Sequence, residues 1–256
     1  LYELTTVSTT AQPPVPHAIL KHRRLLAGAA VLLLASALVG GYRWWGARKD
    51  AVPSPPAAVV LAPSEALQRA QAYLQRYDRK GNGDRAIATL QPALQRDRSS
   101  ASLHAALAEA YVRKYAETAD KQWLQKALES GRQAVAVNED LAAGHVALGM
   151  ALAASGQRSE AADQFVRARD LNPLSGPAHL GLARLRSGGE AEQLYQKAVQ
   201  YSPGEWGPLH ALALFYYNDA RYDESVAAWR QALQLAPDNV PAMGYRSYVP
   251  VKAEIA

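Results

Sequence analysis

Leu141 to Pro173 reads LAAGHVALGMALAASGQRSEAADQFVRARDLNP, and its apolar residues recur at three- and four-residue steps over two short segments. That period predicts two amphipathic helices. Gly156 stands between them, where a left-handed turn residue is needed, and Pro173 forbids continuation of the second. Gly149, Ala161 and Ala168 are small enough to let two helix backbones approach, while Leu148, Leu152 and Phe165 are placed to fill the seam.

This spacing resembles the tetratricopeptide repeat, a 34-residue helical hairpin with a Leu-Gly-x-x-Tyr, Ala-x-x-x-Phe, Ala and Pro frame. The frame recurs. From Trp206 it gives Leu212, Ala213, Tyr216, Ala220, Ser225, Trp229, Ala232 and Pro237 without insertion. The unit before it gives Leu182, Ala183, Ala191, Tyr195, Ala198 and Pro203 with a shortened turn. Upstream, Leu107, Ala108, Tyr111, Ala127 and Ala134 hold the frame across an insertion, and Tyr77, Ala86, Leu90 and Ala93 make the weakest unit. The expectation is therefore an all-α solenoid over 64–239, with five repeats at about 67–100, 101–141, 142–175, 176–205 and 206–239. Residues 240–256 start like a sixth unit and then lose the frame, as a partial repeat or a tail.

Two local readings accompany the frame. Gly131 occupies a position that normally carries a large residue, which predicts a hole, with Trp123 as its filler. Ser64 reads as the N-cap of the first helix.

Outside the repeats, Leu25 to Tyr42 carries no charged residue, and its 18 residues would cover roughly 27 Å as a helix, close to the hydrocarbon thickness of a bilayer. A basic run (Lys21, His22, Arg23, Arg24) precedes it, and Tyr42, Trp44 and Trp45 follow as interfacial aromatics. A retained single-pass transmembrane helix over 25–45 is expected, with a cleaved signal segment at Ala35-Ser36-Ala37 as the alternative. Residues 1–24 read as a flexible cytoplasmic arm and 46–63 as a proline-rich linker that holds the repeats off the membrane. Lysine and arginine are balanced across the apolar run. Placing the repeats in the periplasm rests on the basic run that abuts it. Because the chain opens on Leu1, it is expected to be a fragment of something longer.

Charge and composition narrow the chemistry. The two flanks of the apolar run account for +4 of the net +5, so the repeats are nearly neutral and a nucleic-acid partner is not expected. With 0 cysteines, thiol catalysis, disulfides and cysteine-based zinc sites are excluded. Asp78 to Asp84 imitates a calcium loop but places Lys80 and Thr89 where oxygen ligands belong, so it reads as a turn. His104, His145 and His179 recur at one repeat position, with His210 one residue later. Equivalent residues of stacked helices lie about 8–10 Å apart, which is too far to share one metal. No nucleophile, phosphate-loop or metalloprotease motif occurs, and neither enzyme activity nor a cofactor is expected of this segment.

In tetratricopeptide arrays the first helix of each unit lines a concave groove. The resemblance assigns Ala105, Glu109, Val146, Met150, Leu180, Arg184, His210, Leu214 and Tyr217 to that surface. An apolar centre with isolated charges suits a peptide or protein partner. The succession of apolar run, proline spacer and repeats also resembles the sensor half of bacterial transmembrane Ser/Thr protein kinases, which implies a catalytic domain upstream. Two functions are thus expected as alternatives: a membrane-anchored interaction scaffold, or the extracytoplasmic sensor of such a kinase.

Overall fold

The computed structural model describes residues 61–238. The expected arm, membrane helix, nearly all of the linker and the tail over 240–256 lie outside them. Ten helices occur among the described residues, and no strand: α1 (Pro63–Gln75), α2 (Asn82–Arg96), α3 (Ala101–Thr118), α4 (Lys121–Val137), α5 (Ala142–Ala154), α6 (Arg158–Leu171), α7 (Gly176–Ala183), α8 (Gly188–Tyr201), α9 (Trp206–Asn218) and α10 (Tyr222–Leu235). No helix among them is long and apolar enough to cross a membrane. Successive helices pair as five hairpins, and each hairpin packs on the next, most extensively where α5 meets both helices of the hairpin before it.

The helix ends follow from local chemistry. Ser100, Asp120 and Ser175 cap α3, α4 and α7, each side chain accepting a backbone N–H of the first turn. Ser64 does not cap α1. That helix begins at Pro63 with Ala62 as its N-cap, because proline at the first helical position already lacks the amide that a cap would satisfy.

The turn after α5 has Gly156 at φ +85°, with the amide of Gln157 donating to the Leu152 carbonyl at 2.9 Å and that of Gly156 to Ala153 at 3.1 Å. The turn after α9 repeats both bonds, Arg221 to Tyr216 at 2.9 Å and Ala220 to Tyr217 at 3.1 Å, but with an alanine at φ +58°. A Cβ is unfavourable in that conformation, so Ala220→Gly should stabilise the array by about 0.5–1 kcal/mol in a denaturant titration.

Tight helix contacts explain the small residues. The Phe165 ring is 2% exposed and is slotted between two glycines of neighbouring units. A Cβ on Gly149 would sit 2.8 Å from the ring, and one on Gly181 would sit 2.4 Å from it.

The expected hole at Gly131 does not exist. A Cβ there would meet the Leu148 Cα at 2.9 Å, so the missing side chain is used to seat α5 directly on α4. Trp123 therefore fills nothing at Gly131. It stacks on Tyr111 with ring centroids 5.7 Å apart, half-buried against the first core cluster. The insertion expected between the helices of this hairpin is absorbed as extra helix, making α3 18 residues and α4 17 residues long.

Candidate functional site

Tyr77 shows how the hairpins curve. Its frame position implies a seam residue of the first hairpin, yet α1 ends two residues earlier. The Asn82 amide, 4% exposed, donates to the Arg76 carbonyl at 2.8 Å and so occupies a carbonyl that would otherwise continue the helix. Arg76 then clamps Asp78 through two hydrogen bonds of 2.9 Å, and Tyr77 is turned away from its own hairpin.

The ring reaches the fifth hairpin. Tyr77 and Trp206 lie with centroids 4.5 Å apart, and the Trp206 indole N–H donates to the Gln75 carbonyl at 2.9 Å across 131 positions of sequence. Arg76 reaches Asp238 at 2.6 Å, and Arg79 contacts the same carboxylate. The second hairpin contributes Arg113, whose guanidinium lies 4.1 Å from the Tyr77 ring centre while it pairs with Glu109 at 3.1 Å. The charge of Arg184, from the fourth hairpin, acts on Tyr77, and that of Arg113 acts on Arg184. Side chains of the first, second and fifth hairpins thus meet inside one curve, with the charge of Arg184 nearby.

The expected groove residues divide along this curve. Ala105 and Val146 are buried, 5% and 9% exposed, and pack between helices. Glu109, Met150, Leu180, His210 and Tyr217 are half-buried, and Arg184 and Leu214 are exposed. Sequence reasoning missed Tyr77, Arg113 and Trp206. The signal available was the departure of the first unit from the frame, which left an aromatic residue and two arginines on a short turn.

Electrostatics follow from the enclosure. Burial raises the Tyr77 phenol above its ordinary value, so it stays protonated. Arg184 keeps exposed surface yet is crowded by the curve, and burial first, with Arg113 among its neighbours, lowers its guanidinium. Burial and then Glu109 raise the Glu205 carboxyl. His104, His145 and His179 serve local structure: His104 meets the Arg98 carbonyl at 3.1 Å, His145 the Glu139 carbonyl at 2.8 Å, and His179 the Ser175 carbonyl at 2.9 Å. No group of three metal-ligating side chains gathers among the described residues.

His210 differs from them. It accepts the Trp229 indole N–H at 3.1 Å, and burial followed by Arg184 lowers its pKa. An unfolded chain takes up this proton near the usual 6.5 whereas the folded one resists it to lower pH, so stability from this group is lost as pH falls from about 6.5 through the folded value. Between pH 7.5 and 5.5, the melting temperature of His210→Gln should fall less than that of the wild type.

Residues 208–239 match the family model described as tetratricopeptide repeat. Among solved structures, the chain is similar to a thermophilic tetratricopeptide-repeat protein of Thermus thermophilus, at 23% identity and TM-score 0.59, over 73% of this chain and 98% of that one. Weaker likenesses include YrrB, described as having an unusual peptide-binding site (18% identity, 74% of this chain and 100% of that one, TM-score 0.43). MamA is another (24% identity, 61% of this chain and 90% of that one, TM-score 0.41). No curated protein matches the chain. The hairpin stacking, the matched segment and the Thermus likeness together give the described part of this chain the tetratricopeptide-repeat fold.

Proposed function

We propose that this chain is a non-catalytic interaction scaffold that holds a peptide or protein partner along its inner face. The observation that carries the reading is the run Met150, Leu180, Arg184, Leu214 and Tyr217, in which Arg184 is exposed, Leu214 keeps 41% of its surface exposed on an inner helix, and the other three are half-buried. Apolar side chains left open beside an isolated charge provide the anchors and the register that a bound segment uses. The apolar run over 25–45 supports a membrane anchor, and the basic run before it supports an extracytoplasmic position for the repeats.

A photoreactive residue placed at Leu214 or Met150 in cells tests this reading. Both positions should yield the same discrete adduct, and Lys197, exposed on the outer helix α8, should yield none. Adducts from Lys197 alone would contradict an inner-face site.

The resemblance to kinase sensor halves supports a narrower version, in which the scaffold is the sensor of a Ser/Thr kinase and the basic and apolar runs connect the two. Under that version the genomic sequence upstream of Leu1 encodes a glycine-rich loop, a catalytic aspartate and an Asp-Phe-Gly run. A start codon immediately upstream of Leu1 would overturn it.

A further inference from the structure

We propose that Arg113, Arg184, Trp206 and Gly207 form a socket for an aromatic side chain that carries a carboxylate beside it, and that Tyr77 is the socket's occupant in cis. This deepens the reading of the inner face as a peptide site and rests on it.

Solenoid stability needs contacts between neighbouring units only. Besides its neighbour, the second hairpin, Tyr77 contacts the fifth, which stacking of adjacent units does not require. The contacts are of the kind a bound peptide makes. An indole N–H takes a main-chain carbonyl, a ring packs on the aromatic ring, and a guanidinium covers its face. Gly207 leaves room at the tip, since a Cβ there would sit 3.2 Å from the Tyr77 hydroxyl oxygen.

The socket's polar groups are not matched by this occupant. Arg113 Nε is buried without a hydrogen-bond partner. Arg184 makes no ion pair among the described residues, and neither does Glu205, while Glu109 is already engaged with Arg113. The buried Arg113 Nε, which has no partner, and the unpaired charge of Arg184 favour an acidic group next to the ring, and a lysine there would be repelled.

Asn82 and Asp78 hold the turn from its buried side, and its bonds to Asp238 face solvent. Asp238, the acceptor for Arg76 and Arg79, is 52% exposed, and ion pairs so open to solvent are weak. A tethered occupant nevertheless competes at an effective concentration on the order of 1 mM, so a partner in trans meets a socket that is mostly filled.

Fluorescence anisotropy with the 256-residue chain tests the socket directly. The probe is a labelled acetyl-Gln-Asp-Tyr-Asp-Gln-amide peptide, and two controls carry lysine for both aspartates or alanine for the tyrosine. Tyr77→Ala should bind the acidic probe at least tenfold more tightly than the wild type does. The lysine peptide should bind that variant at least tenfold more weakly, and the alanine peptide should not bind measurably. Adding Arg184→Ala should narrow the gap between acidic and basic probes, a readout that a merely structural role would not move.

Asp238→Lys changes an exposed side chain and leaves the socket intact, so it should also raise affinity over the wild type. Equal affinity for the wild type and Tyr77→Ala would overturn the proposal, as would no binding to Tyr77→Ala or indifference to probe charge. If adducts at Leu214 and Met150 persist in any of those cases, the inner-face reading stands and only the socket falls.

Discussion

Phe165→Ala should lower the unfolding free energy by about 3–5 kcal/mol, the range for deleting a large aromatic side chain from a packed interior. The site cannot close over the loss. Gly149 and Gly181 flank the ring with no Cβ to move inward, and both belong to helices already in contact with their neighbours. Chemical denaturation monitored by circular dichroism measures the change. Gly181→Ala attacks the same contact from the other side. A methyl group at 2.4 Å from a ring held on both faces forces one helix outward, and a cost of about 1–3 kcal/mol is expected despite the better helix propensity of alanine. Since the two changes act on one contact, Phe165→Leu combined with Gly181→Ala should cost less than their sum.

Trp206→Ala has the other large effect, again about 3–5 kcal/mol, and its distribution along the chain is the informative part. Trp206 is 4% exposed and packs with Leu209, Ala232 and Ala236, while its indole also holds Gln75. Removing it loosens the last hairpin and the turn after α1 together. In hydrogen exchange, amides of α9, α10 and Arg76–Gly81 should lose protection while α5 and α6 keep theirs, because units of a solenoid open locally. A uniform loss over all five hairpins would mean that the array unfolds as one block.

The helical hairpins were readable because each seam repeats one arrangement of small and large residues. Phe165 and its two glycines recur in kind as Tyr195 beside Ala183 and as Trp229 beside Ala213. Gly131 was misread for a physical reason: a frame records which position is large, and it cannot say whether a small residue there leaves a gap or admits a neighbour's backbone.

The socket was illegible for a different reason. Periodicity encodes contacts between units adjacent in sequence, whereas Tyr77 meets Trp206 from the opposite end of the array. Of the nine groove residues that the resemblance supplied, Arg184 and Leu214 reach solvent most openly, and Ala105 and Val146 hold hairpins together. The family frame identifies the helix face but not which of its residues the curvature leaves open.

The closed curve is the claim on which the socket and the inner-face reading both depend, and a distance across it is the most direct check. The chain has 0 native cysteines, so spin labels on Lys80→Cys and Gln234→Cys report one pair. Pulsed dipolar spectroscopy should give a single narrow, short distance, which Tyr77→Ala keeps because the Trp206–Gln75 bond and the Arg76–Asp238 pair remain. A long, broad distribution would contradict it.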